Sequence, residues 1–348
     1  MNVTTRKAAK RNNVKRAWAI TGAIVAAILL IILGLGPVRT AVLDDYYAKF
    51  RAEHQAEHDA VDAQFNQFDV TVNGLAWHYV EEGPKDGPVV LFLHGLPEGW
   101  SSWKYVIPLI DPKYRLIVPD MKGYGRSDKT DNDYNWHTVA SQTLALMDYL
   151  KVNKFYVVGH DWGALISTIL VNDHPERILG FVRMEADFVP GGEGSQTQTY
   201  IKKPQWLLFQ LNWVGTWFMQ DPGWFIDMVY KSRMVTPLKK VDRDYFVYEF
   251  SRPGVAEQLP KYFELSNWDL QTALNGFCKN KYPFPVLALQ ADSDPAQPKS
   301  IFANSTTECP DVELKWITNA SHFDNLDQPA QVGAAINEFL GNAGHPAK

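Results

Sequence analysis

The ten residues 155–164, FYVVGHDWGA, predict a strand that turns sharply into a helix. The first four are apolar, and a continuous apolar run is typical of a strand that helices cover on both faces. Gly159 and Gly163 flank the turn, so the backbone can bend there and project the side chain of Asp161. An aspartate that only caps the following helix is the alternative, but a cap does not require glycine on both sides.

Strand and helix patterns alternate along most of the chain. Asn73-Gly74, between stretches of alternating apolar residues, predicts an antiparallel hairpin at the start. Strands are predicted at 89–93, 115–119, 155–158, 181–184, 286–290 and 312–317, and helices at 102–109, 138–150, 164–172 and 329–340. This order predicts an α/β fold with an open, mostly parallel sheet.

The segment 187–282 interrupts the alternation, because it is rich in aromatic residues and has no clear strand pattern. We predict that it is a helical lid inserted into a core formed by 67–186 and 283–348. In front of the core we predict a basic cytoplasmic tail at 1–16, a transmembrane signal anchor at 17–36 and a helical stalk at 37–66.

The transmembrane prediction rests on the absence of charge from 17–36. A helix of this length spans the ~30 Å hydrocarbon core of a bilayer. Six cations precede it with no acid among them, which predicts a cytoplasmic amino terminus. We therefore expect a single-pass membrane protein, held in lipid by 17–36, with an extracytoplasmic catalytic domain. A cleaved signal peptide is the alternative.

Composition excludes several other classes of protein. The chain has 34 Lys and Arg against 39 Asp and Glu, and its cations do not cluster beyond the amino terminus, so we expect no nucleic-acid partner. Two cysteines are too few for a disulfide-rich scaffold or a Cys-based zinc site. His54 and His58 have a spacing that can bind a metal, but two solvated side chains are the preferred interpretation.

The candidate catalytic residues follow predicted strands, where ligands bind in open α/β sheets. We predict Asp161 as the nucleophile and His322 as the base that activates water. Asp294 is predicted to orient His322 and to stabilise its charged form. The alternatives for this acid are Asp292, Glu185 and Asp187.

The loop 94–98, HGLPE, follows another predicted strand and is expected to help form an oxyanion hole. The expected donors are the backbone amides of Leu96 and Trp162, the second of which directly follows the nucleophile. His94, Gly95 and Pro97 are expected to support this loop. An ordinary Gly-Pro turn is the alternative.

An aspartate nucleophile indicates displacement at a saturated carbon. A serine that attacked such a carbon would leave an ether, which water does not readily cleave. Asp161 would leave an ester, and water activated by His322 could attack its carbonyl carbon while the oxyanion hole stabilises the tetrahedral intermediate. We therefore expect epoxide opening or halide release, with no metal or organic cofactor.

Three motifs together resemble epoxide hydrolases of the α/β-hydrolase fold: 159–164 (GHDWGA), 94–100 (HGLPEGW) and 119–128 (PDMKGYGRSD). The resemblance covers roughly residues 68–342 and is shared in part with haloalkane and haloacetate dehalogenases. It implies that lid tyrosines donate hydrogen bonds to the epoxide oxygen. The stretches 251–254 and 259–263 resemble the segment that holds one of them, which implies that Tyr262 is the general acid. An aromatic residue that only packs within the lid is the alternative. The landmark for the second, MQDPG at 219–223, has no tyrosine just before it, and Tyr200 is a weak candidate.

We therefore expect a membrane-anchored epoxide hydrolase that opens an apolar epoxide to a diol. A haloalkane or haloacetate dehalogenase with the same nucleophile is the alternative. Trp162 offers the indole donor that such an enzyme needs for the halide, whereas the apolar side chain of Leu96 cannot supply a second. A catalytically silent binding module on the same scaffold is a third possibility.

Overall fold

The computed structural model describes residues 36–131, 133–186, 209, 211–263, 277, 281–295 and 297–343. The chain divides into two compact units, Met1–Lys49 and Phe50–Lys348. Residues 36–49 of the first unit are helical. The second unit contains the sheet, and its first helix, α1, covers residues 50–62.

A single sheet forms the centre of the second unit. The described strands are β1 Gln67–Val72, β2 Leu75–Glu82, β3 Val89–Leu93, β4 Arg115–Pro119, β5 Phe155–His160, β6 Ile178–Met184, β7 Val286–Ala291 and β8 Val312–Ile317. Their order across the sheet is β1-β2-β4-β3-β5-β6-β7-β8. β2 is antiparallel to β1 and β4, whereas the remaining neighbours are parallel. The predicted α/β fold with a mostly parallel sheet is confirmed.

Helices alternate with the strands along the chain, and some of them pack on the sheet. They are α2 Trp136–Tyr149, α3 Trp162–Asp173, α4 Asn212–Met219, α5 Pro222–Arg233, α6 Lys240–Phe250, α7 Val255–Gln258, α8 Ser305–Glu308, α9 Asp324–Asp327 and α10 Pro329–Ala343. α3 contacts α2 and the strands β3, β5 and β6, and α10 contacts β6 and β8. All residues of β3, β4, β5 and β7 are buried, as continuous apolar runs predict.

Helices α4 to α7 lie between β6 and β7 in the chain, within the predicted lid segment 187–282. α5 begins with Pro222, and its preceding residue Asp221 accepts a hydrogen bond from the Trp224 amide at 3.1 Å. Both features are typical of a helix start. A 3₁₀ segment, Leu259–Phe263, follows α7. The exact domain boundaries stay a prediction.

The predicted helix at 102–109 is wrong. Two short 3₁₀ turns occupy this part of the chain, Trp100–Trp103 and Ile107–Leu109. Pro108 has no amide hydrogen with which to continue an α-helical hydrogen-bond ladder. The hydroxyl of Ser102 instead donates to the Gly99 carbonyl at 3.0 Å, which stabilises the first turn.

The interpretation of His58 as a solvated residue is also wrong. Its side chain is 4% exposed, hydrogen-bonds to Glu249 of α6, and stacks on Tyr245 with 4.6 Å between the ring centres. Asp62, one helical turn later, accepts a hydrogen bond from the Tyr245 hydroxyl at 2.6 Å. His58 and Asp62 share a face of α1, and α6 covers that face.

The localisation predicted from the sequence is corrected. In the described ranges, no helix is both long enough and apolar enough to cross a bilayer. The helical residues from 36 onward are interrupted by charged side chains such as Arg39, Asp44 and Asp45. Residues 17–35 lie outside the described part of the chain. This finding contradicts the predicted localisation, a single-pass membrane protein with an extracytoplasmic catalytic domain, for the part of the chain that the structure describes.

Candidate active site

Asp161 occupies the turn between β5 and α3. Its φ angle is +49°, a left-handed backbone conformation that residues other than glycine rarely adopt. Residues in this conformation concentrate at functional sites. A Cβ atom on Gly159 would lie 2.6 Å from the Gly163 carbonyl oxygen, and one on Gly163 would lie 2.2 Å from the carbonyl oxygen of Leu93. Both positions therefore require glycine, because only glycine lets β5, β3 and α3 approach this closely.

Three predicted site residues meet at the carboxyl ends of the parallel strands. The Nε2 atom of His322 lies 3.2 Å from Oδ2 of Asp161, and its Nδ1 atom lies 3.0 Å from Oδ2 of Asp294. Asp294 and His322 are 2% and 4% exposed. Asp292 does not take part, since its carboxylate accepts a hydrogen bond from the Ser293 hydroxyl at 2.9 Å.

The charges of this cluster support one another. Burial alone would raise the pKa of Asp161, but the hydrogen bond and the charge of His322 outweigh it and lower the pKa to about 2. Burial likewise disfavours charge on His322, yet Asp294 and Asp161 raise its pKa above the usual value. Asp161 is therefore an ionised carboxylate near neutral pH, as a nucleophile must be.

The loop after β3 reaches the same point. The Leu96 amide donates a hydrogen bond to Oδ1 of Asp161 at 3.1 Å. Trp162 begins α3, and its indole packs edge-on against Trp136 and Phe263, with ring centres 5.2 Å and 4.9 Å away. One of the two predicted oxyanion donors thus contacts the carboxylate directly, and the other is the residue next to it.

The predicted support residues form a compact loop under Leu96. His94 accepts a hydrogen bond from the Met121 amide at 3.0 Å through Nε2, and its Nδ1 lies 2.9 Å from the Gly95 carbonyl oxygen. The Pro97 carbonyl accepts a hydrogen bond from the Tyr230 hydroxyl at 3.1 Å. The loop is thereby tied both to the strand side of the site and to α5.

A nucleophile on a strand-to-helix elbow, a histidine after the last strand and a carboxylate between them are the arrangement of one fold family. A family model described as the alpha/beta hydrolase fold matches residues 88–329 of this chain. The chain belongs to that family.

Individual relatives place this α/β hydrolase near the epoxide hydrolases. It is 35% identical over 320 residues to epoxide hydrolase 3 of Siraitia grosvenorii, covering 80% of this chain and 98% of the relative. Among solved structures it is similar to epoxide hydrolase VrEH1 from Vigna radiata, with a TM-score of 0.68, 25% identity, and coverage of 80% and 98% of the two chains. The prediction of an epoxide-hydrolase-like hydrolase is confirmed.

A haloalkane dehalogenase also has this architecture. The DbeA-M1 loop variant from Bradyrhizobium elkanii matches with a TM-score of 0.67 and 23% identity, covering 80% of this chain and 97% of that one. At this identity the likeness supports the fold, and it does not discriminate between the two activities.

Tyr262 lies in the 3₁₀ segment that follows α7 and is 1% exposed. Its ring centre is 5.9 Å from that of Trp162, and its hydroxyl donates to the Lys122 carbonyl at 2.7 Å. Burial raises the pKa of Tyr262 well above its usual value, so the hydroxyl keeps its proton. Tyr200 and Asp187 lie outside the described residues.

A buried ion pair between His160 and Glu98, beneath the site, was not predicted from the sequence. Nδ1 of His160 lies 2.8 Å from Glu98, and its Nε2 lies 2.7 Å from the His322 carbonyl oxygen. Burial lowers the pKa of His160, but Glu98 outweighs this and raises it to about 10. The only signal in the sequence is that each residue lies inside a motif quoted for its neighbours, GHDWG and HGLPE.

Metal-ligand atoms of Glu185, Asp294 and His322 lie within 4.8 Å of one another. The Nδ1 atom of His322 is hydrogen-bonded to Asp294, so we do not assign this group as a metal centre.

Proposed function

We propose that this α/β hydrolase opens an apolar epoxide to a diol through a covalent ester on Asp161. The observation that supports it most is an aspartate carboxyl group, 3.2 Å from His322, at the position where the elbow presents its side chain. Aromatic rings next to the elbow, from Trp162, Phe263 and Tyr262, favour an apolar substrate.

In the first step, a carboxylate oxygen of Asp161 attacks an epoxide carbon, and the carbon–oxygen bond of the ring breaks. The epoxide oxygen gains a proton from the Tyr262 hydroxyl, which has to leave the Lys122 carbonyl to reach it. The Leu96 amide holds Oδ1, so Oδ2 is the oxygen that attacks and Oδ1 becomes the ester carbonyl.

In the second step, His322 removes a proton from water, and the resulting hydroxide attacks the ester carbon. Oδ1 carries the negative charge of the tetrahedral intermediate and accepts hydrogen bonds from the amides of Leu96 and Trp162. Asp294 stabilises the His322 imidazolium meanwhile. When the intermediate collapses, the bond between the ester carbon and the substrate oxygen breaks, and the His322 imidazolium protonates that oxygen to release the diol. The carboxylic-acid proton left on Asp161 passes to the Tyr262 phenolate formed in the first step, which restores all three residues.

The test is to trap the ester. His322→Gln should still form the ester with an aryl epoxide such as styrene oxide but should fail to hydrolyse it. Mass spectrometry should then find one added substrate mass on the peptide that contains Asp161. The double variant His322→Gln with Asp161→Asn is the matched control and should stay unmodified. An unmodified His322→Gln protein across a panel of epoxides would overturn the proposal.

A dehalogenase remains the second candidate, because the indole of Trp162 directly follows the nucleophile and is the kind of donor that binds a leaving halide. The apolar Leu96 side chain disfavours it. Halide release from a haloalkane, without turnover of any epoxide, would favour this second activity.

A further inference from the structure

Glu185 is a buried carboxyl that the proposed reaction does not use. It follows β6 directly and is 1% exposed. One of its oxygens, Oε2, lies 3.9 Å from Nδ1 of His322, the same nitrogen atom that bonds to Asp294 at 3.0 Å. Two carboxyl groups from neighbouring strands therefore face one nitrogen of the histidine.

The backbone holds Glu185 in this direction. Its φ angle is +46°, so Glu185 and Asp161 both have left-handed conformations at the ends of adjacent parallel strands. The Glu185 amide donates to the Leu289 carbonyl at 3.3 Å, and its Oε1 accepts a hydrogen bond from the Ala291 amide. A non-glycine residue in this conformation persists only where the surroundings fix it, and such residues concentrate at functional sites.

The second oxygen faces Asp294 and His322, and one ligand atom from each of the three residues lies within 4.8 Å of the others. Burial and the charges of Asp324 and Asp294 raise the pKa of Glu185 well above its usual value. Like charges this close cannot both ionise at little cost, so the site carries one negative charge on Asp294 and a proton on Glu185. In that state Glu185 is a donor, and Asp294 is the acceptor next to it.

We propose that Glu185 is a second positioning acid for His322, neutral while Asp294 is ionised and able to replace it when Asp294 carries no charge. This inference rests on the proposed function of His322. In Asp294→Asn the neighbouring negative charge is absent, so Glu185 loses its proton more readily. Its carboxylate can then accept the Nδ1 proton after a small side-chain rotation.

The experiment compares single-turnover decay of the Asp161 ester in wild type, Asp294→Asn, Glu185→Gln and the double variant. Loss of the acid from a triad without a substitute costs about 10⁴-fold. We expect Asp294→Asn to lose only about 10–100-fold and the double variant to lose about 10⁴-fold. The fold-loss of the double variant should therefore exceed the product of the fold-losses of the two single variants. If the two effects simply multiply, Glu185 has only a structural role.

The pH profile supplies a readout that a structural role would not change. In Asp294→Asn, ester decay should acquire a dependence on the ionisation of Glu185 that is lost in the double variant. In the Asp294→Asn background, Glu185→Asp keeps an acid at this position, and its ester should decay faster than that of the double variant with Glu185→Gln. Asp311→Asn removes an exposed carboxylate before β8 and serves as the matched control, and thermal melts verify folding of every variant.

Failure of the proposed function can be distinguished from failure of the inference about Glu185. If wild type forms no ester, that function is refuted, and the inference is then decided by proton NMR of the Nδ1–H of His322. This resonance should persist in Asp294→Asn and disappear in the double variant. If the resonance is already absent from the single variant Asp294→Asn, the inference is overturned.

Discussion

The Nε2 atom of His160 lies 2.7 Å from the carbonyl oxygen of His322. The residue before the nucleophile is thus hydrogen-bonded to the backbone of the base. Its other nitrogen is paired with Glu98, which also accepts a hydrogen bond from the Gly95 amide at 2.5 Å. One buried ion pair therefore joins the loops after β3, β5 and β8, the three loops that carry Leu96, Asp161 and His322.

Glu98→Gln should destabilise the protein strongly, because it leaves the buried His160 without its charge partner. Breaking a buried ion pair by removing one partner costs about 3–5 kcal/mol. Urea unfolding should show this loss, and ester formation should slow because the three loops lose their common support. Glu257→Gln, at an exposed position of α7, is the matched control. Equal stability of the two variants would show that His160 does not need the Glu98 charge.

Gly95→Ala should impair activity and, to a smaller extent, stability. A Cβ atom at this position would lie 2.6 Å from Cβ of Asp161 and 2.7 Å from its Oδ1, so the loop has to move and take the Leu96 amide with it. Loss of one oxyanion donor costs about 10²–10³-fold in rate. We expect kcat to fall by about that factor. The melting temperature should fall moderately, because an extra carbon atom in a packed site costs about 1–3 kcal/mol.

Gly341→Ala is the matched control for this substitution, because a Cβ atom there would meet nothing within 4 Å. It should leave both kcat and the melting temperature close to those of the wild type. A fully active Gly95→Ala protein would show that the loop can move without harm to the site.

Much of the fold was predictable because its signals are local. Continuous apolar runs locate the parallel strands, and the glycines on either side of Asp161 predict its elbow. The structure shows why these positions hold glycine, since a Cβ atom on either would lie within 3 Å of a backbone carbonyl oxygen. Asp294 is preferred over Asp292 because Asp292 is nearer the strand end, where a structural role in the turn suits it. The structure brings Asp294 to His322 and leaves Asp292 with Ser293.

Other features depend on contacts between distant segments, which spacing does not encode. His58 lies on a polar stretch of sequence, and only the approach of α6 buries it beside Glu249. Glu185 and Asp294 follow neighbouring strands, so sequence position alone could not reveal that both reach His322. The helix expected at 102–109 failed for a local reason, the proline at 108, which the apolar spacing concealed.

Asp161→Asn should lower the pKa of His322. In the free enzyme Asp294 and Asp161 together raise this pKa, and the substitution removes the charge of one of them, as ester formation would. A lower pKa in the intermediate keeps His322 neutral at a pH where it must accept a proton from water. The acid limb of ester decay should therefore lie below the pKa measured for the free wild-type enzyme.

NMR titration of the His322 ring in wild type and Asp161→Asn measures the effect directly. Asp173→Asn removes a carboxylate that lies 3.0 Å from the exposed His137, and serves as a control that should not change the titration of His322. An unchanged or raised His322 pKa in Asp161→Asn would contradict the electrostatic coupling of the two residues.

Stability should depend on pH through His58 of α1. Burial opposes its charge, but the hydrogen bond and the charge of Glu249, and the charge of Asp62, raise its pKa above the usual value of about 6.5. A group whose pKa is raised by folding stabilises the protein fully below its unfolded pKa, and this contribution is lost as the pH rises through the folded pKa. The excess stability of wild type over His58→Gln should therefore be largest below about pH 6.5 and shrink above it.

Urea unfolding at a series of pH values measures this difference. His54→Gln, on the same helix, is the control, because the His54 ring bonds to the Phe50 carbonyl at 2.9 Å instead of a carboxylate. Glu249→Gln should weaken the pH dependence, since His58 then loses its principal charge partner and keeps only Asp62. A stability difference between wild type and His58→Gln that grows with pH would mean that His58 is neutral in the folded protein, and that α1 is held on α6 by stacking on Tyr245 and not by charge.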